Sequence, residues 1–194
     1  MTGNERSLHD DELVARVAAG DETALRLLVD RWQRPVFAFF LRCLGNEEDA
    51  RDLAQECFLK VYRHASGYEA KGRFRSWLFR IAGNLCRSRL RRRRILRWLP
   101  LNEELSSVGP AAPRSFEADA RQEGHEIGRA IEECVAELPE RQRLAFGLRH
   151  EGNLSYREIG KLLHSSESAV ESLLVRATRH LQECLRAKGF GDDF

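Results

Sequence analysis

Apolar residues recur along the chain at intervals of three and four rather than alternating, and only five prolines interrupt them, at positions 35, 100, 110, 113 and 139. That period predicts helix almost throughout. Asp10 is placed to cap a short first helix carrying Leu13, Val14 and Val17, which stops at Gly20. Asp21 caps a longer one whose inner face holds Leu25, Leu28, Trp32, Val36 and Phe39 or Phe40, with a kink or break expected at Pro35. A third helix starts at Asn46 with acids in its first turn and keeps Ala50, Leu53, Ala54, Cys57, Phe58 and Val61 on one face. A fourth runs from near Arg73 to about Arg97, with Phe74, Trp77, Leu78, Ile81, Ala82 and Leu85 inward and arginine on its other faces.

The pattern lapses between Pro100 and about Asp119, where Ser, Gly, Pro and Ala replace it. Such a composition buries too little apolar surface to offset its ordering entropy, which predicts a flexible linker. Helical spacing returns with Ile127, Ile131, Cys134, Val135 and Leu138. Pro139 then occupies the favoured first position of a helix with Leu144, Ala145 and Leu148, which ends at Gly152 and Asn153. Ser155 and Glu158 form a capping box ahead of Ile159, Leu162 and Leu163. After the turn His164-Ser165-Ser166, a last helix carries Ala169, Val170, Leu173, Leu174, Ala177, Leu181 and Leu185. The fold class is therefore all-α, with two small helical domains, residues 1–98 and 123–194, joined by a flexible linker over 99–122.

A 42% hydrophobic content over 194 residues is that of a globular protein and excludes disorder throughout. The five cysteines (Cys43, Cys57, Cys86, Cys134, Cys184) are scattered, without a C-x-x-C pair, and read as reduced core residues of a cytosolic protein. The six histidines lack ligand spacing, so no metal is expected, nor any cofactor. The longest apolar run, Val36 to Leu41, is far too short to span a bilayer, and no signal segment precedes it. A cytoplasmic location without membrane insertion is expected.

Charge sharpens the picture through its distribution. The formal net charge is only +2, yet Lys71 to Arg97 contains eleven Lys or Arg and no acid. An uncompensated basic block points to a polyanionic partner. A solvated charged face is the plainer alternative, but here the arginines continue from an amphipathic stretch with Trp77 and Asn84, which favours phosphate contact with counterion release.

The final two helices, with their capped start and short polar turn, have the form of a helix-turn-helix. An ordinary helical hairpin has the same periodicity. In the DNA-binding reading Ser168, Glu171 and Ser172 face base edges, Arg176 and Arg179 reach phosphates, and Ser165 of the turn joins the DNA-binding set. The acids of the third helix, Glu48, Asp49, Asp52 and Glu56 with Gln55, have no evident nucleophile or metal partner, so they suit protein docking better than acid–base catalysis. An operator-binding regulator and a metal-dependent nuclease are the alternatives; the acidic face counts against the first, the missing ligand set against the second.

Three segments carry a family resemblance. Asp49-Ala50-Arg51-Asp52-Leu53-Ala54-Gln55-Glu56-Cys57-Phe58-Leu59, Phe74-Arg75-Ser76-Trp77-Leu78-Phe79-Arg80-Ile81-Ala82-Gly83-Asn84, and Leu138-Pro139-Glu140-Arg141-Gln142-Arg143 with Leu154-Ser155-Tyr156-Arg157-Glu158-Ile159-Gly160 resemble signatures of the extracytoplasmic-function (ECF) class of bacterial sigma factors. The resemblance implies a region 2 helical bundle and a region 4 helix-turn-helix, no enzymatic activity, and docking on core RNA polymerase through Asp49, Asp52, Gln55 and Glu56. It implies promoter −10 recognition through Tyr68, Arg73, Trp77, Arg80, Asn84, Arg87 and Arg91, with a base flipped toward the loop around Ser66 to Gly72. The last helix would read the −35 element, and an anti-sigma factor is the implied regulator. The chain departs from the family pattern at Glu171 and Leu173, where basic residues are common, and at Gly160 and His164, where alanine and a turn glycine are usual. Glycine at 160 is expected to cost about 1 kcal/mol of helix propensity.

Overall fold

The computed structural model describes residues 8–97 and 122–190, which form eight α-helices. They are α1 (Asp10–Ala18), α2 (Glu22–Leu44), α3 (Glu47–His64), α4 (Phe74–Arg97), α5 (Gln122–Glu137), α6 (Glu140–His150), α7 (Tyr156–Leu163) and α8 (Glu167–Ala187), with a short 3-10 turn at Ala65–Gly67. The expected linker lies outside the described residues except for Gln122, which opens α5.

Local chemistry sets most boundaries. Asp21 accepts from the backbone N–H of Thr23 and Ala24, and Asn46 from Asp49, each satisfying orphan donors of a first turn. Ser155 and Glu158 make the expected capping box. The first cap differs: His9, not Asp10, closes α1, in a box with Glu12. Asp10 is thereby released to bind Arg31 and the indole N–H of Trp32 on α2, tying the first two helices together. Pro139 is likewise the N-cap of α6 rather than its first residue. No break occurs at Pro35; α2 runs through it. Pro35 is exposed, where water can replace the hydrogen bond that it cannot make.

The N-terminal helices bury Leu13, Leu28, Val36, Phe39, Phe40 and Leu78 in a common core. Edge-to-face rings extend it, with Phe39 and Phe79 centroids 5.4 Å apart. That core continues into the second half through Leu144, Leu148, Leu154, Ile159 and Leu162, so α6 and α7 pack directly on α2 and α4. A second, smaller core joins α5 to α8 through Cys134, Val135, Leu138, Ala177, Leu181 and Leu185.

One sequence expectation fails here. Cys134 and Cys184 are joined in a disulfide, bridging α5 and α8. Fifty residues separate them, and only the side-by-side packing of the two helices, which spacing along the chain does not reveal, brings them together. Cys43, Cys57 and Cys86 are free and buried as expected, and burial pushes the Cys57 thiol up to about 12. Among the described residues no cluster of potential metal ligands occurs, and no helix is long and apolar enough to cross a membrane.

Candidate nucleic-acid and partner interfaces

The acidic face of α3 divides in two. Asp52, Gln55 and Glu56 are exposed. Asp49 instead turns toward α4, where Arg89 donates to one carboxylate oxygen at 2.6 Å and Arg93 to the other. It therefore positions α3 against the basic helix rather than standing free for a partner. Sequence reasoning missed the apolar companions of this face: Leu59 and Tyr62 each leave 48% of their surface exposed. They border a groove of about 1300 Å³ between α2 and α3, floored by Val29, Leu41 and Phe58. Gln55, Leu59 and Tyr62 lie at four- and three-residue steps, a stripe legible in the sequence once the inward stripe is set aside.

Trp77, Arg80, Asn84, Arg87 and Arg91 also follow three- and four-residue steps and so form one stripe along α4. An aromatic cluster sits at its start. Tyr68, on the loop before α4, packs against Trp77 at 4.9 Å between centroids and against Phe74 at 6.2 Å; Trp32 touches Phe74 from below. The Tyr68 hydroxyl donates to Asp11 at 2.6 Å. Burial, then that carboxylate, hold its phenol well above the ordinary range. Arg73 is exposed next to this cluster, and Asn84 and Arg91 are exposed farther along the helix.

The second half lies across part of the stripe. Arg80 pairs with Glu158 of α7 at 2.7 Å, and Arg87 donates to the Leu162 carbonyl at 2.8 Å. Arg75 reaches the carbonyls of His150 and Glu151, while Arg42 of α2 pairs with Glu151 at 2.5 Å. Burial raises the Glu151 carboxyl despite Arg42. Between the two arginine contacts, Gly83 receives the side chains of Leu148 and Leu162, whose methyls would stand 2.7 and 2.8 Å from an added Cβ.

The helix-turn-helix is built from α7, the turn and α8. His164 takes a left-handed conformation (φ 50°), and Ser165 N–H donates to the Gly160 carbonyl at 2.9 Å. The chain returns so closely that a Cβ on Gly160 would stand 2.7 Å from the Ser165 carbonyl oxygen. Gly160 is thus required by this turn, a gain that propensity alone hides. Ser166 caps α8. Of the expected DNA-facing residues, Ser168, Glu171, Ser172, Arg176 and Arg179 are exposed on α8. Ser165 is the exception, because its hydroxyl accepts from Arg141 at 2.7 Å and donates to the Leu163 carbonyl within the turn. Arg157, Lys161 and His164, which the sequence reading passed over, line a shallow depression beside the turn, and the arginine and lysine add positive charge there.

Family models of sigma-70 region 2 and sigma-70 region 4 match residues 28–95 and 128–181. The chain is 30% identical over 186 residues to RNA polymerase sigma-H factor of Pseudomonas aeruginosa, covering 91% of this chain and 94% of that protein. It is 30% identical over 187 residues to ECF RNA polymerase sigma factor SigK of Mycobacterium tuberculosis, covering 95% and 98%. Its fold resembles CnrH, solved in complex with the cytosolic domain of CnrY, at 25% identity and a TM-score of 0.57 over 93% of this chain and 99% of that one. It also resembles the sigma factor RpoE of Bartonella quintana, solved with the anti-sigma factor NepR, at 22% identity and a TM-score of 0.59 over 83% and 96%.

Proposed function

Because the chain belongs to the ECF class of RNA polymerase sigma factors, we propose that it docks on core RNA polymerase through α3 and directs initiation at promoters read by α4 and α8. Asp52, Gln55 and Glu56, with Leu59 and Tyr62 beside them, offer an acidic surface with an apolar edge for docking. The observation that carries the DNA assignment is the α4 stripe, in which the Trp77 indole, backed by the Tyr68 ring of the preceding loop, shares one helix face with an amide and three guanidiniums. Stacking surfaces beside phosphate-binding cations suit a melted strand better than an intact groove. Ser168, Glu171, Ser172, Arg176 and Arg179 suit the −35 duplex, with Arg157 and Lys161 supplying phosphate contacts.

In this reading the protein is a binding subunit and not an enzyme, and its place is the cytoplasm, beside the polymerase. In the arrangement described, Arg80 and Arg87 hold the other half of the chain, so contact with DNA through them follows separation of the halves. A protein that wedges the halves, an anti-sigma factor, fits the same geometry; CnrH, whose fold this chain resembles, was itself solved with a protein partner, the cytosolic domain of CnrY.

Transcription in vitro with core polymerase and a pool of genomic promoter fragments tests the assignment. Start sites that require the protein are expected. DNA binding without any initiation would overturn it in favour of an operator-binding regulator.

A further inference from the structure

We propose that Asp11, in the first turn of α1, is a positioning residue that holds the loop before α4 in its strand-capturing shape; the inference rests on the −10 reading of that loop. One oxygen of its carboxylate accepts from the Tyr68 hydroxyl at 2.6 Å, and the other from the Gly72 backbone N–H at 2.6 Å. Those two donors lie at opposite ends of the segment between the 3-10 turn and α4. A single side chain from 57 and 61 residues upstream therefore ties both ends of the loop. Both donors are neutral, and hydrogen bonds to an ionised acceptor are the stronger kind.

The geometry of the loop depends on these ties. Gly72 has a φ of +66° with open space where a side chain would be, so its glycine serves the backbone turn that aims its N–H at Asp11. Tyr68, fixed through its hydroxyl, keeps its ring against Trp77. Glu69, Ala70, Lys71 and Arg73 are left exposed between and beside the anchors. Asp10 next door binds Arg31 and Trp32, so α1 is itself fixed to α2 and the loop is referenced to the rigid bundle. Asp11 acts through Tyr68 and Gly72 on whatever the loop receives.

The test uses the full chain with Asp11→Asn, Asp11→Ala and Tyr68→Phe. Asparagine keeps the shape, but an NH2 donor replaces one of the two oxygens that accept separately from Tyr68 and Gly72, so one of the two bonds is lost in this geometry. With core polymerase, promoter opening followed by permanganate reactivity of −10 thymines is expected to slow about tenfold for Asp11→Ala and less for Asp11→Asn. Core affinity and thermal unfolding should stay near wild type. Adding Tyr68→Phe to Asp11→Ala should cost less than its effect alone, because the two share one bond. In the free protein, trypsin should cut faster at Lys71 and Arg73 in Asp11→Ala and at no other site. Wild-type opening with undiminished loop protection would overturn the proposal, as would equal loss of core affinity and opening, which marks a general folding role. The two readings separate cleanly: if wild type itself initiates nowhere, the sigma assignment fails, whereas the trypsin comparison still tests the tether.

Discussion

Phe39 of α2 occupies the space beside Gly147 of α6, where an added Cβ would stand 3.0 Å from the ring edge. With Gly83 on α4, which faces Leu148 and Leu162, this makes a two-point contact in which each half supplies one glycine for the other's side chain. Substituting Gly83 with Val should push the halves apart at a cost of roughly 1–3 kcal/mol to their packing. Small-angle scattering should report a larger radius of gyration for the variant, with helix content unchanged. An unchanged radius would mean that Leu148 and Leu162 simply turn aside.

Glu158 joins two functions, closing the α7 cap and pairing with Arg80 across the halves. Burial opposes its charge, but the Ser155 N–H and hydroxyl and the Arg80 guanidinium outweigh that and hold its carboxyl below the ordinary 4.5. A depressed folded-state pKa adds stability that is present above 4.5 and lost as pH falls through the folded value. The stability gap between wild type and Glu158→Gln, measured by urea unfolding, should therefore be widest near neutral pH and close in acid. The cross-half pair contributes only about 0.5 kcal/mol of this by a double-mutant cycle with Arg80→Ala, since Arg80 is half exposed and screened by solvent.

Asn84 is exposed on α4 between Arg80 and Arg87. Replacing it with Ala should lower initiation at promoters that depend on the −10 element and leave core polymerase binding intact. Abortive transcription assays alongside a core-binding titration separate the two quantities, and loss of both would make the residue structural.

Opening the Cys134–Cys184 bond releases a fifty-residue constraint on the unfolded chain. Loop-closure entropy puts this at about 4 kcal/mol for the C-terminal helices. Reductant should lower their denaturant midpoint, and a Cys134→Ser, Cys184→Ser double variant should unfold at one midpoint with or without it.

The sequence is most legible where one residue decides a local matter. Asp21, Asn46 and the Ser155–Glu158 pair announce their helices because a cap satisfies donors within three residues of itself. His9 escaped notice because imidazole is an uncommon cap, and Asp10 beside it is a usual one. Contacts between helices are a different matter. Asp49 reads as one more acid on an acidic face until α4 brings Arg89 and Arg93 to it, and Gly160 reads as a weak helix residue until the Ser165 carbonyl arrives above it. The shared core of the two halves is hidden for the same reason, since the apolar faces of α6 and α7 announce burial but not the surface that buries them.

That shared core makes the halves' contact an equilibrium competitor of DNA. In the proposed reading, the part of the stripe held by Glu158 and the Leu162 carbonyl, Arg80 and Arg87, meets nucleic acid only in the fraction of molecules that are open, and the apparent affinity through it falls in proportion; a population open at about 1% would bind about a hundredfold more weakly. Thermodynamic reciprocity then sets the response to a partner, such as a docked polymerase, that prefers the open form and leaves the α4 and α8 faces uncovered. Such a partner would raise the affinity for promoter DNA by the same factor by which the DNA raises its own, without touching a single base.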